Sequence, residues 1–152
     1  MVHYTEQKIL PFTPEHLFNV VIDVDQYDTF LPWCRHSEVI DHIPDQNKLY
    51  ASVTAGYLIY SEMYVSKVTY EKPNTIRAEY VDGPFKNLST TWTFLDHQDG
   101  CDLRFVVDFE FANTVLNSIA EHVLDQISTR MVEAFVNRAH ALNQKELNPE
   151  KS

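Results

Sequence analysis

Glycine is scarce in this chain: Gly56, Gly83 and Gly100 stand isolated from one another among 152 residues. A loop that cradles phosphate groups needs closely spaced glycines, because the backbone amides must approach the ligand. The sequence therefore excludes a phosphate-binding loop of this kind. It also lacks a G-x-S-x-G segment, which excludes the nucleophile turn of the α/β-hydrolases.

Cysteine and paired histidine are also rare. Cys34 and Cys101 lie far apart and match no metal-ligand or redox spacing, so we expect two reduced thiols in or near the core. The seven histidines are scattered without an HxH or HExxH pair. We therefore predict no metal site and no catalytic residues. Glu62 alone among the carboxylates falls mid-strand between apolar neighbours, which makes it the one candidate for an acid inside a cavity.

Positive charge is in short supply as well. The chain has 12 Lys and Arg against 22 Asp and Glu, a net charge of −10, and no Lys/Arg cluster. A surface of this sign repels phosphate backbones and anionic lipid. We therefore predict no direct DNA binding and no standing attachment to an anionic membrane, which leaves transient membrane contact through an apolar lip.

Long hydrophobic runs are missing too. No apolar run approaches the roughly 18–20 residues of a membrane span. The segment from Met1 to Leu10 has neither the apolar core of a signal peptide nor the Arg-rich pattern of a transit peptide. We therefore expect a soluble protein of a reducing compartment.

One long periodic stretch, from Asn113 to Asn143, dominates what is present. Its apolar residues recur every three or four positions, which predicts a helix of about 26 residues, roughly 39 Å long. The large apolar members are Leu116, Ile119, Val123, Leu124, Ile127, Met131, Val132, Phe135, Val136 and Leu142. Such a stripe needs a concave apolar partner from upstream.

The upstream chain supplies that partner as strands. A first strand at Val2–Leu10 precedes a helix that starts at Thr13-Pro14-Glu15, and Asp25 is expected to cap a second short turn. Period-two alternation then predicts six strands: Glu38–Ile43, Leu49–Tyr57, Ile59–Tyr70, Thr75–Val81, Leu88–Leu95 and Cys101–Phe111. We predict one α+β domain over residues 1–145, with a curved antiparallel sheet wrapped around the long C-terminal helix, and a loose tail at 146–152.

The distribution of side-chain sizes indicates a cavity. Aromatic residues cluster at turns and element ends, whereas the residues facing the long helix are small, namely Ala51, Ala55, Ala78 and Thr90. Large residues at a rim with small ones inside describe a cavity better than a tight core. The alternative, that each aromatic side chain simply fills the core, stays open.

Four segments carry a resemblance to a known family. They are Tyr27-x-x-Phe30-Leu31-Pro32-Trp33-Cys34, Asp82-Gly83-Pro84-Phe85-Lys86 with Trp92 and Phe94, Asp108-Phe109-Glu110-Phe111, and Met131-Val132-x-Ala134-Phe135-x-x-Arg138-Ala139. The chain resembles the coenzyme Q-binding (ubiquinone chaperone) family of the START / polyketide cyclase-like superfamily. The resemblance implies a helix-grip fold that binds ubiquinone or a related polyprenyl lipid without catalysis, in support of respiratory electron transport.

The same resemblance leaves two other functions open. Related bacterial proteins are ribosome-association toxins that bind the large ribosomal subunit, and the wider superfamily contains small-molecule cyclases and hydrolases. With no transit peptide in view, we expect the bacterial cytoplasm, with peripheral contact at the inner membrane.

The site predictions follow from the fold that the resemblance implies. We expect no required cofactor, with ubiquinone or a similar polyprenyl quinone as the bound ligand. The predicted cavity wall consists of Trp33, Tyr57, Phe85, Trp92, Phe109, Met131 and Phe135. The predicted entrance consists of Tyr27, Phe30, Pro32, Gly83 and Pro84.

Overall fold

A computed structural model describes residues 2–57 and 60–147, without the side chains of residues 57, 60, 123–125 and 144–147. The described part contains seven strands and three α-helices. In chain order they are β1 (Val2–Leu10), α1 (Pro14–Ile22), α2 (Tyr27–Phe30), β2 (Cys34–Ile43), β3 (Lys48–Tyr57), β4 (Tyr60–Glu71), β5 (Thr75–Asp82), β6 (Phe85–His97), β7 (Gly100–Phe111) and α3 (Thr114–Leu147).

The strands form one antiparallel sheet in the order β1-β7-β6-β5-β4-β3-β2. Consecutive strands pair from β2 to β7, and β1 pairs with β7. The first two strands of the chain are therefore the two edges of an open, curved sheet, and α1 and α2 connect them. This is the α+β arrangement that the sequence predicted, with the long C-terminal helix and the two short helices after the first strand.

The residues on the inner face of the sheet are the ones that the alternation of apolar and polar residues in the sequence predicts. Successive side chains of a strand point to opposite faces, so every second residue can be buried. The buried apolar residues of β7 are Cys101, Leu103, Phe105, Val107 and Phe109. Trp92 and Phe94 of β6 join this face, and the core lies between it and the helices. Cys34 and Cys101 are both buried, free thiols, as predicted.

Helix α1 begins as predicted. Thr13 is its N-cap and accepts a hydrogen bond from the His16 backbone N–H at 3.1 Å, with Pro14 at the first helical position. The predicted cap of the second turn is wrong, because no Asp25 side chain caps α2. Asp25 instead accepts a hydrogen bond from the Val39 N–H at 2.7 Å. Strand β2 is an edge, so its outward backbone groups need partners of this kind.

Helix α3 is longer than predicted, with 34 residues instead of about 26. It extends through Leu147, and the rest of the predicted tail, residues 148–152, lies outside the described residues. Among the described side chains of this helix, Ser128, Val132, Phe135 and Ala139 are buried. The part of the chain that the structure describes contains no helix with both the length and the apolar character needed to cross a membrane.

Candidate functional site

A cavity of about 310 Å³ lies between the inner face of the sheet, α3, and the segment that carries α1 and α2. Its volume is near the lower end of the range of about 300–1,000 Å³ that ligand pockets occupy. The space exists because the sheet carries small side chains here. The small residues expected to face inward, Ala51, Ala55, Ala78 and Thr90, all line it.

The cavity wall is apolar over most of its area. Helix α3 contributes Leu116, Ile119, Ala120, Ile127, Ser128, Met131 and Phe135. The long apolar stripe of α3 therefore has two roles, because part of it packs in the core and part of it faces open space. Polar groups on the wall are few and come from Tyr27, Trp33, Glu62, Tyr64, Ser66, Thr90, Trp92 and Ser128.

The structure brings the predicted wall residues together around this cavity. Those whose side chains are described all line it: Trp33, Phe85, Trp92, Phe109, Met131 and Phe135. The side chain of Tyr57 lies outside the described residues. That these residues contact a bound lipid stays a prediction.

The predicted entrance residues are not equivalent. Tyr27 lines the cavity itself. Phe30 packs behind it, with its ring centroid 5.9 Å from that of Tyr27 and 5.3 Å from that of Phe135. Pro32 and Gly83 are exposed, Pro84 is half-buried, and none of these three borders the cavity. An entrance role for them stays a prediction.

An aromatic cluster closes one part of the wall. The ring centroid of Phe135 lies 5.2 Å from that of Tyr27 and 5.0 Å from that of Trp92, with both pairs edge-on. Trp92 in turn lies 4.4 Å from Phe105. Edge-to-face contacts of this kind stabilise a packed cluster beyond the area they bury. Phe135 therefore belongs to the cavity wall and to the core at once.

A second aromatic cluster surrounds Phe85 at the start of β6. Its ring centroid lies 4.5 Å from that of Phe111 in a stacked arrangement and 5.4 Å from that of Tyr64, edge-on. The preceding turn is joined to the segment between β7 and α3, because the Ala112 N–H donates to the Pro84 carbonyl at 3.0 Å. The β5–β6 turn, which directly precedes Phe85, is therefore hydrogen-bonded to the segment that leads into α3.

Sequence reasoning missed several wall residues, and Tyr64 is the most informative of them. In the β3–β4 ladder Ala55 pairs with Glu62 and Val53 pairs with Tyr64. Paired residues of an antiparallel ladder share one face, so Glu62 and Tyr64 point the same way as the small residues of β3. Glu62 lines the cavity although it is exposed, which places it at the open end. Residues two positions apart in a strand lie on the same face. The sequence interpretation that Glu62 faces a cavity could therefore have been extended to Tyr64.

The electrostatics of the wall keep its hydroxyl groups protonated. Burial raises the pKa of Tyr27 and of Tyr64 above the ordinary range of tyrosine, so both phenols remain neutral at physiological pH. The Tyr27 hydroxyl donates to the Val21 carbonyl. The Trp33 indole nitrogen Nε1 is buried and has no hydrogen-bond partner. The described residues include no group of His, Cys, Asp and Glu that could hold a metal ion.

These features define a class of protein, an α+β domain in which a curved antiparallel sheet grips a long helix around an apolar cavity. A family model described as polyketide cyclase / dehydrase and lipid transport matches residues 10–136. The chain belongs to this family. The resemblance to the START / polyketide cyclase-like superfamily is thereby confirmed.

Similar proteins span nearly the whole chain. "Ribosome association toxin RatA" of Rickettsia prowazekii is 28% identical over 141 residues, which cover 91% of this chain and 97% of that protein. "Coenzyme Q-binding protein COQ10 homolog B, mitochondrial" of Xenopus laevis is 32% identical over 143 residues, which cover 91% of this chain and 58% of that protein. An 18 kDa protein of Caulobacter crescentus, solved in solution, is 28% identical with a TM-score of 0.78 and covers 95% and 99%.

Proposed function

We propose that this protein binds ubiquinone or a related polyprenyl lipid in its cavity, without catalysis, and so supports respiratory electron transport. The observation that carries the proposal is the apolar cavity of about 310 Å³ between sheet and helix. The similarity to a coenzyme Q-binding protein of Xenopus laevis supports a quinone as the ligand.

The energetics of apolar burial favour a short stretch of isoprenoid tail. Each CH₂-sized group removed from water contributes about 0.8 kcal/mol, so two isoprene units supply up to about 8 kcal/mol. Association costs offset a large part of this gain. We expect a cavity of about 310 Å³ to hold a head group with the first tail units. A long tail must then leave through the open end.

Exposed apolar side chains near the open end support transient membrane contact. Met63 is 59% exposed, Val81 is 51% exposed and Val115 is 62% exposed. All three lie near the β5–β6 turn or the start of α3. In the proposed role, the protein works in the bacterial cytoplasm and reaches the inner membrane only peripherally, because its net charge of −10 opposes lasting adsorption to anionic lipid.

A cavity-filling substitution tests the proposal. Ala78→Leu adds bulk inside the cavity, whereas Thr91→Leu places the same leucine side chain on the opposite face of the neighbouring strand, since Ala78 pairs with Thr90. Binding of ubiquinone with two isoprene units is followed by quenching of the fluorescence of Trp33 and Trp92, which line the cavity. We expect Ala78→Leu to weaken binding at least about tenfold, or about 1.4 kcal/mol, with Thr91→Leu unchanged. Equal binding by the two variants contradicts the cavity as the site.

Association with the large ribosomal subunit is the second candidate function. The observation in its favour is the similarity to "Ribosome association toxin RatA" over 97% of that protein. The net charge of −10 opposes direct contact with ribosomal RNA, so such binding requires a basic ribosomal protein or the exposed Lys86. Co-sedimentation with large subunits at moderate salt tests it, with Lys86→Glu against Lys72→Glu as matched exposed variants. Binding that only Lys86→Glu abolishes supports this function.

A cyclase or hydrolase activity is the third candidate, and it rests on Glu62. This carboxylate lines the cavity and is the one acidic side chain among the described residues that line it. Binding without catalysis predicts that ubiquinone is recovered chemically unchanged after prolonged incubation with the protein. A modified product that the Glu62→Gln variant fails to form supports catalysis instead.

A further inference from the structure

Three consecutive inward positions of strand β4 carry polar side chains. They are Glu62, Tyr64 and Ser66, and all three line the cavity. Successive inward residues of a strand lie about 6–7 Å apart. The three side chains therefore form one line, which runs from the open end, where Glu62 is exposed, to a point where Ser66 is buried. Because most of the wall is apolar, this line is where the polar part of a ligand meets hydrogen-bonding groups.

The hydroxyl groups of Tyr64 and Ser66 have open space beside them. Within the described part of the chain, neither hydroxyl makes a hydrogen bond. Trp33 Nε1 is the one fully enclosed side-chain nitrogen or oxygen there that lacks a partner. The oxygens of Tyr64 and Ser66 are therefore not fully enclosed, and both residues border the cavity. Each hydroxyl can donate a hydrogen bond to a ligand or accept one from it.

The neighbouring residues of β3 leave room next to these hydroxyl groups. Ser66 pairs with Ala51, and Tyr64 pairs with Val53. Residues directly opposite each other in an antiparallel ladder share one face of the sheet. Ala51 and Val53 accordingly line the cavity too, and their side chains are small. A head group can therefore lie over β3 with its oxygen atoms toward β4.

The Tyr64 ring is held at its base by the β5–β6 turn. Gly83 has a positive φ of 139°, and a Cβ at this position would lie 2.9 Å from the Tyr64 Cβ, so the turn packs against the start of the side chain. The Phe85 ring lies edge-on to Tyr64, with 5.4 Å between the ring centroids. Burial raises the pKa of the Tyr64 hydroxyl, and the Cys34 thiol raises it further, which puts the hydroxyl within electrostatic reach of the start of β2. The phenol is therefore a protonated donor at physiological pH.

The charges of the wall restrict the ligand to a neutral head group. The described lining residues include no Lys, Arg or His, and Glu62 is the one acidic residue among them. An anionic head group would lose its water without gaining a counter-charge, and Glu62 repels it. A cationic group could pair only with Glu62, whose exposure lets water and salt weaken the pair.

We propose that Tyr64 and Ser66 form a head-group site on β4 that hydrogen-bonds the oxygen atoms of a neutral isoprenoid lipid. The two hydroxyl groups replace the water that these oxygen atoms lose on entering the cavity, which an apolar wall cannot do. The inference deepens the proposed lipid-binding function and rests on it. It also places the head group on the sheet side of the cavity, away from α3.

Three probes that share one isoprenoid chain test the site. Farnesene has no oxygen, farnesol carries a neutral hydroxyl group, and farnesoic acid carries a carboxylate at neutral pH. Displacement of the apolar dye N-phenylnaphthylamine from the full chain measures their affinities, with ubiquinone of two isoprene units measured in parallel. We expect the wild-type protein to bind farnesoic acid more weakly than farnesol.

The variants Tyr64→Phe and Ser66→Ala each remove one hydroxyl group and keep the rest of the side chain. Each should weaken the binding of farnesol and of ubiquinone about three- to tenfold and leave that of farnesene within about twofold. The matched controls are Tyr50→Phe and Ser52→Ala, because both residues lie on the opposite face of β3 from the cavity. They should leave every affinity within about twofold. Thermal unfolding confirms that each variant is folded.

Infrared spectra of bound ubiquinone report on the hydrogen bonds themselves. A hydrogen bond lowers the stretching frequency of a carbonyl group. We therefore expect the carbonyl band of ubiquinone bound to the wild-type protein to lie below its position in a hydrocarbon solvent, and to return toward that position in Tyr64→Phe. The wild-type spectrum carries this test whatever a substitution does to folding.

The outcomes separate the head-group site from lipid binding itself. If ubiquinone binds with an unshifted carbonyl band, or if both variants change the affinities for farnesol and farnesene by the same factor, the site on β4 is refuted and lipid binding stands. Tighter binding of farnesoic acid than of farnesol overturns the preference for a neutral head group. If neither ubiquinone nor any other probe binds, the proposed function fails and the inference fails with it.

Discussion

At the scale of single residues, Phe135 shows how closely the cavity and the core are connected. It is 4% exposed and makes edge-on ring contacts with Tyr27, Phe30 and Trp92, while its side chain also lines the cavity. We therefore expect a substitution of Phe135 to lower the stability of the fold as well as any binding in the cavity. Site substitutions therefore have to be interpreted beside a measurement of folding.

The first prediction concerns Phe135→Ala. We expect it to lower the free energy of unfolding by about 3–5 kcal/mol, because it removes a buried ring and leaves a hole among three aromatic neighbours. Urea denaturation at pH 7 measures the change. Met131→Ala is the matched comparison, since Met131 lines the same cavity but is only half-buried and should cost less stability. Equal losses for the two variants contradict the structural role of Phe135.

A second prediction concerns the pH dependence of stability at Asp102. Its carboxylate accepts hydrogen bonds from Arg104 Nη2 and Gln7 Nε2, both at 3.0 Å, and these hold its pKa below the usual value of aspartate. A pKa lowered by folding contributes stability that is present above the unfolded-state pKa of about 3.9. That stability is lost as the pH falls through the folded-state pKa.

The substitution Arg104→Met should therefore destabilise the protein at pH 7, and the difference from wild type should shrink as the pH falls below about 4. Urea denaturation at pH 7, 4 and 2.5 follows this change. The exposed Arg130 provides a matched control through Arg130→Met, which should change little. A difference that stays constant over this pH range means that Asp102 is not the group responsible.

At the scale of elements, the regular strands could be predicted from the sequence because one face of each is buried. Strand β1 has the predicted bounds, and β7 starts one residue before the predicted Cys101. The length of α3 could not be predicted, because the sequence prediction relied on apolar residues at helical spacing, and the last residues of the helix are mostly polar. The Asp25 cap failed for another reason: capping geometry depends on a neighbouring edge strand, whose position only the tertiary structure sets.

The start of α3 yields a third prediction. Asn113 Oδ1 accepts hydrogen bonds from the Val115 N–H at 2.9 Å and the Leu116 N–H at 3.2 Å, as an N-cap does. Asn113→Ala should cost about 1 kcal/mol and fray the first turn, where Leu116 lines the cavity. Hydrogen exchange should accelerate in that turn, and release of bound ubiquinone should accelerate with it.

The control for this prediction lies in the same helix. Ser118 is exposed and follows the capped turn, so Ser118→Ala should leave both exchange and release rates unchanged. Unaltered exchange at the start of α3 in Asn113→Ala would contradict the capping role of Asn113.

At the scale of the whole molecule, the cavity could be predicted but its chemistry could not. Small residues at alternate strand positions, such as Ala51 and Ala78, indicated unfilled space before any coordinates were considered. The unpaired donor of Trp33 and the inward position of Tyr64 depend on strand register and on the chain path between α2 and β2. Those arise from contacts between residues distant in sequence, which composition and periodicity do not encode.

The whole molecule also combines two properties that bear on its partners. Its net charge of −10 opposes binding to polyanions, and its cavity is lined mostly by apolar side chains. Binding of a neutral lipid should depend little on salt, whereas binding to a ribosome through charged contacts should weaken as salt rises. The salt dependence of binding therefore distinguishes the two proposed functions.

The most direct test of the central claim is organic extraction of the natively purified protein, followed by mass spectrometry, with the Ala78→Leu variant purified in parallel. We predict a neutral polyprenyl quinone at close to one molecule per chain in the wild type and strong depletion in the variant. The same amount of quinone in both proteins, or none in the wild type, contradicts the claim that the cavity holds this lipid.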